Sequence, residues 1–328
     1  MRERSQALPR DDMKVGVVLP HWSHGMGGET PRPADVLNLA RTAEDAGLDS
    51  VWLIDHFYSE NYIDMAYHGI EMPDDLRGVK SGAWECWSLL PALATATQRV
   101  EIGTLVTNTG YRNPALLAKM ADTVDDLSDG RLIVGLGAGD FPSEHEAYGY
   151  PFEGRVGRFE EALQIIRPML RGECVTFDGE HYRSLEAALL PWSVRETGPP
   201  ILIGLLHGGP RMKRLVVEHA DQWNCWLAFW NSHPEAYCEP HEAMLRACDR
   251  FDRDPDTLER NVTIAAGRPE GEWGAAFGEG PLRVEPERLA ACMREYRDRY
   301  DVRHITVWLD QKTESGIEWL ARAAEMAR

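Results

Sequence analysis

Short, continuously apolar runs alternate with amphipathic segments along most of the chain. A run that is apolar at nearly every position is typical of a strand buried on both faces, as in a parallel sheet covered by helices. The amphipathic segments repeat apolar residues at spacings of three and four, which predicts helices. The pattern predicts eight strands, at Lys14–Pro20, Ser50–Ile54, Arg99–Val106, Arg131–Gly139, Pro200–Leu206, Asp221–Trp226, Asn261–Gly267 and Arg303–Leu309.

Proline and glycine mark where several of the predicted helices begin and end. Pro33 and Pro114 open two helices, and Gly47 and Gly130 follow their last turns, where a left-handed residue is common. Eight strand–helix units without a linker between them predict a closed (β/α)8 TIM barrel. An open, doubly wound sheet is the alternative, but no G-x-G-x-x-G motif opens the first helix.

The barrel accounts for one domain, residues 13–328, after a flexible tail at residues 1–12. Residues 171–199 interrupt the alternation and predict an excursion between the fourth helix and the fifth strand. Asp178 and Gly179 predict a hairpin turn within it.

The composition excludes several classes of partner and site and indicates where the protein is located. The net charge of −18 argues against nucleic acid and against an anionic membrane surface. The longest apolar runs fall short of the roughly 20 residues that span a bilayer, and the charged N-terminus does not resemble a secretory signal, so we expect a cytoplasmic protein. The six cysteines form no C-x-x-C pair, which favours free thiols. The histidines show no metal-binding spacing, and no metal is expected.

Polar residues and glycines follow the predicted strands at the point where each strand ends. The active site of such a barrel lies at the C-terminal ends of its strands, so these residues are the candidates for chemistry or binding. Each of them has a plainer alternative as a turn, cap or rim residue. The candidates are His21, Trp22, Ser23, Asp55, His56, Thr107, Asn108, Thr109, Gly137, Ala138, Gly139, Asp140, Gly204, His207, Gly208, Gly209 and Asn224.

The long loop Phe57–Ala83 contains more aromatic residues than a solvated loop needs, among them Tyr58, Tyr62 and Tyr67. We interpret it as a cover over the barrel mouth. A subunit interface is an equally good explanation of the same residues.

Three stretches carry a family resemblance: "SVWLIDHF", "IGTLVTNTGYRNPALLAKMADTVDDLSDGRLIVGLGAG" and "EHEAYGYPF". They resemble the luciferase-like monooxygenase superfamily, and in detail its branch that uses a deazaflavin. The resemblance implies a barrel that binds coenzyme F420 (F-420), a deazaflavin; FMN is the alternative. It also implies a non-prolyl cis peptide between Leu105 and Val106 that backs the cofactor ring.

The resemblance assigns roles to matching positions. His56 would act near the reactive carbon of the ring as hydrogen-bond partner or general acid/base, and Asp55 would contact the ring edge. Thr107 and Asn108 would line the ring beside the cis bond. The remaining cofactor contacts would come from Gly137, Ala138 and Gly139 along the polyol chain, and from Gly204, His207, Gly208 and Gly209 around the phosphate.

The phosphate loop departs from the family pattern, because Leu205 and Leu206 stand where relatives often have glycines. His207 or Arg211 would then neutralise the phosphate.

The implied function is hydride transfer between F420 and a small organic substrate, by a protein that is commonly a homodimer in this family. One alternative is an FMN-dependent monooxygenase that receives reduced flavin from a separate reductase and uses oxygen. Another is a non-catalytic flavin-binding barrel.

Overall fold

The computed structural model describes residues 13–328 except 27, 194, 196, 272 and 274–279. The predicted tail, residues 1–12, lies outside the described residues. The strands in this part of the chain are β1 Lys14–Val18, β2 Ser50–Leu53, β3 Tyr58–Glu60, β4 Lys80–Gly82, β5 Glu101–Thr104, β6 Thr107–Asn108, β7 Leu132–Gly137, β8 Val175–Asp178, β9 Arg183–Ala187, β10 Ile201–Gly204, β11 Gln222–Trp226, β12 Glu259–Gly267, β13 Leu282–Arg283 and β14 Val302–Leu309.

Helices follow most of the barrel strands. They are α1 Pro33–Asp45, α2 Asn61–Tyr67, α3 Cys86–Ala96, α4 Pro114–Leu127, α5 Pro142–Tyr148, α6 Arg155–Leu170, α7 Pro210–His219, α8 Cys238–Arg250, α9 Pro286–Tyr300 and α10 Glu314–Ala327. The predicted helix ends at Gly47 and Gly130 are confirmed as left-handed positions, with φ of +88° and +80°. None of the helices in the described part of the chain combines the length and apolar composition needed to cross a membrane.

Eight parallel strands close into a ring, which confirms the predicted TIM barrel. Around the ring the order is β1, β2, β5, β7, β10, β11, β12 and β14. Pairing of β10 with β7 and of β14 with β1 leaves no open edge. The antiparallel pair β8–β9, between α6 and β10, lies outside this sheet.

Neighbouring residues along each barrel strand pack on opposite sides of the sheet. Val17 and Val51 belong to the large core between strands and helices, whereas Val18 and Trp52 belong to a smaller core inside the barrel. The inner core has room for the Trp52 ring because a Cβ at Gly103 would lie only 2.4 Å from it. Side chains therefore fill the lower barrel and leave the C-terminal mouth for a site.

The third predicted strand differs most from its prediction. It corresponds to β5, which ends at Thr104, and β6 follows beyond the predicted end at Val106. The bond between Leu105 and Val106 in the gap is cis, as the family resemblance implies. β6 pairs with β7, as β5 does, so the chain continues along the same neighbouring strand beyond the cis bond.

Candidate active site

A cavity of about 880 Å3 opens at the C-terminal ends of the barrel strands. Most of the residues predicted to form a site line it, although they come from the ends of six different predicted strands. The predicted residues in its wall are Trp22, Ser23, Asp55, His56, Leu105, Val106, Asn108, Gly137, Ala138, Gly139, Asp140, Gly204, His207 and Asn224.

His56 is held by a buried carboxylate. Its Nδ1 lies 2.8 Å from Oε2 of Glu144, whose side chain is completely buried, and its Nε2 lies 3.9 Å from the carboxylate of Asp140. Its ring stacks on Phe141, with centroids 4.1 Å apart. Because Nδ1 is engaged, Nε2 is the nitrogen that His56 can offer to the cavity.

Burial disfavours a charged imidazole, but the nearby carboxylates outweigh it. The hydrogen bond to Glu144 and the charges of Glu144, Asp140 and Asp55 raise the pKa of His56 to about 9. His56 is therefore protonated at neutral pH.

The carboxylate of Glu144 accepts hydrogen bonds from several groups. Besides His56, its carboxylate accepts hydrogen bonds from the backbone N–H groups of Phe57 and Tyr58 and, at 2.6 Å, from the hydroxyl of Tyr111. Burial alone would raise its pKa, but the bond to His56 and these other donors lower it. Glu144 thus remains a carboxylate and fixes the His56 ring.

Asp55 forms a two-pronged ion pair with Arg112. The guanidinium nitrogens lie 2.6 and 2.9 Å from its carboxylate oxygens, and the backbone N–H of Asn108 donates to it at 3.1 Å. Burial raises the pKa of Asp55 while Arg112 opposes that rise. The carboxylate that was predicted to touch a cofactor ring thus also joins the ends of β2 and β6.

The cis segment Leu105–Val106 forms one wall of the cavity, with glycines on either side of Val106. A Cβ at Gly137 would lie 2.6 Å from Val106 Cγ2, and one at Gly204 would lie 3.1 Å from Val106 Cγ1. The missing side chains leave room for the methyl groups of Val106, which give this wall an apolar surface.

Six sequence candidates lie apart from this wall: His21, Thr107, Thr109, Gly208, Gly209 and Arg211. Thr107 is fully buried, and its hydroxyl accepts from Trp87 Nε1 at 3.1 Å, so its side chain is directed toward α3 instead of the cavity. Gly208 and Gly209 are not among the lining residues. Arg211 is paired at 2.6 Å with Glu160, which leaves His207 as the lining residue of that loop that can carry charge.

The segment Phe57–Ala83 forms a side of the cavity, to which Met65, Tyr67 and His68 contribute. It is fastened to α5 through Asp64, which accepts hydrogen bonds from the hydroxyl of Ser143 at 2.6 Å and from its backbone N–H at 3.1 Å. The same short helix therefore carries Glu144 and anchors the segment.

Several site residues were missed by the sequence reasoning. Glu144 lies in the stretch that carried the resemblance and Arg112 in "GYRNP", yet neither was assigned a role. Arg155 lines the cavity and donates to the carbonyl of Gly139 at 3.1 Å. Lys312 lines it too, although it is in a polar stretch, "DQKTES", that suggests only a surface loop.

No group of three or more histidine, cysteine or acidic side chains is arranged to hold a metal ion among the residues that the structure describes. The polar groups at the mouth instead suit proton transfer and the binding of an organic cofactor.

Comparison with known proteins identifies the family. The sequence model of the luciferase-like monooxygenases matches residues 13–269. The chain is 32% identical over 197 residues to an F420-dependent glucose-6-phosphate dehydrogenase of Amycolatopsis mediterranei, covering 59% of this chain and 53% of the relative. It is 32% identical over 183 residues to the 5,10-methylenetetrahydromethanopterin reductase of Archaeoglobus fulgidus, covering 55% and 46%. The chain thus spans about half the length of these curated relatives.

Among solved structures, an F420-dependent secondary alcohol dehydrogenase in complex with an F420-acetone adduct superposes with a TM-score of 0.76. The superposition covers 97% of this chain and 99% of that chain at 19% identity. This likeness supports the barrel fold.

Proposed function

The chain belongs to the luciferase-like monooxygenase family, and from this premise we propose that it is an F420-dependent oxidoreductase acting on a small organic substrate. The observation that carries the proposal is His56, held protonated by Glu144 in the wall of the cavity that Val106 also lines. The sequence relatives named as F420-dependent support the choice of cofactor.

The cavity fits a flat organic ring. Its volume of about 880 Å3 falls in the range of roughly 300–1,000 Å3 that is usual for cofactor and ligand sites. Leu105, Val106, Gly137 and Gly204 would hold the ring face, and Ala138 and Gly139 would lie along the polyol chain. His207 and Arg155 are the positively polarised groups available to the phosphate end.

A bound deazaflavin supplies a ring carbon that accepts or releases a hydride. The protein's part is to bind, orient and protonate. His56 presents a proton on Nε2 to an oxygen that gains negative charge, and Glu144 stabilises the imidazolium as the proton is held or returned. Asp55 and Arg112 fix the strand ends, while the segment Phe57–Ala83 keeps water from one side of the cavity.

The test is a titration of the purified protein with F420 and with FMN, each oxidised and reduced, followed by absorbance and fluorescence. We expect F420 to bind at least about tenfold more tightly than FMN, a difference of about 1.4 kcal/mol. Tighter binding of FMN, with oxygen consumed when reduced FMN is supplied, would instead make the chain a flavin monooxygenase.

A second measurement addresses His56. In His56→Gln, F420 should still bind, while hydride transfer to substrate should slow by about 10²–10⁴-fold. Unchanged turnover would remove the imidazole from the chemistry.

The homodimer implied by the resemblance is part of the same proposal. Sedimentation velocity of the purified chain would test it.

A further inference from the structure

Lys312 is a buried basic side chain in the cavity wall that lacks an acidic partner in the described part of the chain. It follows β14 and is 5% exposed, and its Nζ lies 3.5 Å from the centroid of the Trp308 ring. No described carboxylate lies within 4.0 Å of this nitrogen. Asp310, two residues earlier, accepts a hydrogen bond from the backbone N–H of Gln311 at 2.6 Å.

Other basic side chains of the same wall have polar partners. His56 is held by Glu144, Arg155 donates to the carbonyl of Gly139, and His68 lies 3.4 Å from Asp140. A buried lysine without such a partner is unusual, because removing an ammonium from water is costly unless an opposite charge replaces the water. Burial accordingly lowers the pKa of Lys312 to about 7.

The neighbourhood of Lys312 is aromatic. Trp226 packs edge-on against Trp308, with centroids 5.7 Å apart, and also contacts Phe229 at 5.7 Å. We call Trp226, Phe229 and Trp308 the aromatic wall. All three line the cavity, so a ligand that reached Lys312 would lay its apolar part against them.

Lys312 also lies across the barrel mouth from Gly137 and Gly139. In the ring of eight strands, β14 is the fourth strand from β7 in either direction. β7 ends at Gly137, where the proposed cofactor wall begins. A group held by Lys312 would therefore approach from the side opposite that wall, where a substrate must lie to face the cofactor.

We infer that Lys312 determines substrate specificity: the substrate is a small organic anion whose charge pairs with Lys312 and whose apolar body packs on the aromatic wall. The proposed function supplies the redox chemistry on which this inference rests, but the pairing itself is a property of the cavity and can be measured without turnover. A carboxylate and a phosphate monoester present the same recognition chemistry to the ammonium group.

The experiment uses probes of nearly one shape and different charge. Benzoate, benzamide and benzamidine carry negative, neutral and positive charge, and phenyl phosphate tests the other anion. Their binding would be measured by calorimetry and tryptophan fluorescence, with and without saturating oxidised F420. We expect benzoate or phenyl phosphate to bind at least about tenfold more tightly than benzamide, and benzamidine to bind most weakly.

Lys312→Met keeps the length and apolar stem of the side chain but removes its charge. It should bring the affinities for anion and benzamide to within about threefold of each other, while Lys312→Arg keeps the preference. Lys213→Met, on α7 and outside the cavity wall, is the matched control and should bind like the unaltered chain.

Equal binding of benzoate, phenyl phosphate and benzamide by the unaltered chain would overturn the inference, as would an anion preference that survives in Lys312→Met. Circular dichroism establishes that the variants are folded. If the anion preference is found but F420 does not bind, the proposed function fails and the assignment of Lys312 stands. If F420 binds but no probe shows a charge preference, the assignment of Lys312 fails and the proposed function stands.

Discussion

The imidazole of His56 is charged because of the carboxylate behind it. Folding raises its pKa from an ordinary 6.5 to about 9, against the effect of burial, through the hydrogen bond and charge of Glu144. A pKa that is higher in the folded state contributes stability that is fully present below pH 6.5 and is lost as the pH rises through 9. The pair therefore links the chemistry of the site to the pH dependence of folding.

Glu144→Gln should lower the pKa of His56, because it removes the negative charge while keeping a side chain of similar shape. Titration of the imidazole by NMR should show a fall of at least about one pH unit. The loss of stability between pH 6.5 and 9, on the order of 3 kcal/mol in the unaltered chain, should shrink in urea unfolding. Glu146→Gln, exposed on the same helix, is the control, and an unchanged His56 pKa in Glu144→Gln would contradict the assignment.

At the scale of elements, α5 joins the His56–Glu144 pair to the segment Phe57–Ala83. Asp64 on α2 bonds both the hydroxyl and the backbone N–H of Ser143 in the first turn of α5, and the next residue is Glu144. A movement of the segment would therefore shift Glu144 and, with it, the ring of His56.

Asp64→Ala should loosen this connection while leaving the barrel intact. The change removes three buried hydrogen bonds, two from Ser143 and one from the hydroxyl of Ser59 at 2.8 Å, at a cost of about 2–4 kcal/mol. Hydrogen exchange followed by mass spectrometry should become faster in residues 57–83 and 142–148 but not in β1 or β12. Asp74→Ala changes a side chain of the same segment that is 91% exposed, and this control should exchange like the unaltered chain. If Asp64→Ala instead made exchange faster throughout the protein, Asp64 would not be a local connection.

The elements themselves were predictable where every residue of a strand is buried. "SVWLI" and "PILIGLL" contain little besides apolar residues, and β2 and β10 lie within them. The cis bond at Leu105–Val106 came from the family resemblance alone, since nothing in the residue types requires it. Burial of Glu144 and Lys312 was not predictable, because it depends on α5 and the aromatic wall, which are assembled from distant parts of the chain.

For the molecule as a whole, the net charge of −18 is the dominant electrostatic feature. Repulsion among like charges destabilises the compact state, and salt screens it over about 10 Å at 0.1 M. We expect the melting temperature at pH 7 to rise by a few degrees between low and moderate sodium chloride concentrations. At pH 5, near the isoelectric point of about 5.0, salt should no longer raise the melting temperature. An equal rise at pH 5 and pH 7 would point to an effect other than screening.

Closure of the barrel places Gly137 and Lys312 at the ends of strands on opposite sides of one ring, but they lie far apart along the chain. The family's sequence model stops at residue 269, so Gly137 falls inside the inherited pattern and Lys312 falls after it. A lineage could then exchange the loop beyond β14 to accept a new metabolite while its redox carrier stayed the same. A directed-evolution library for altered substrate selectivity can therefore be confined to the few codons of this loop.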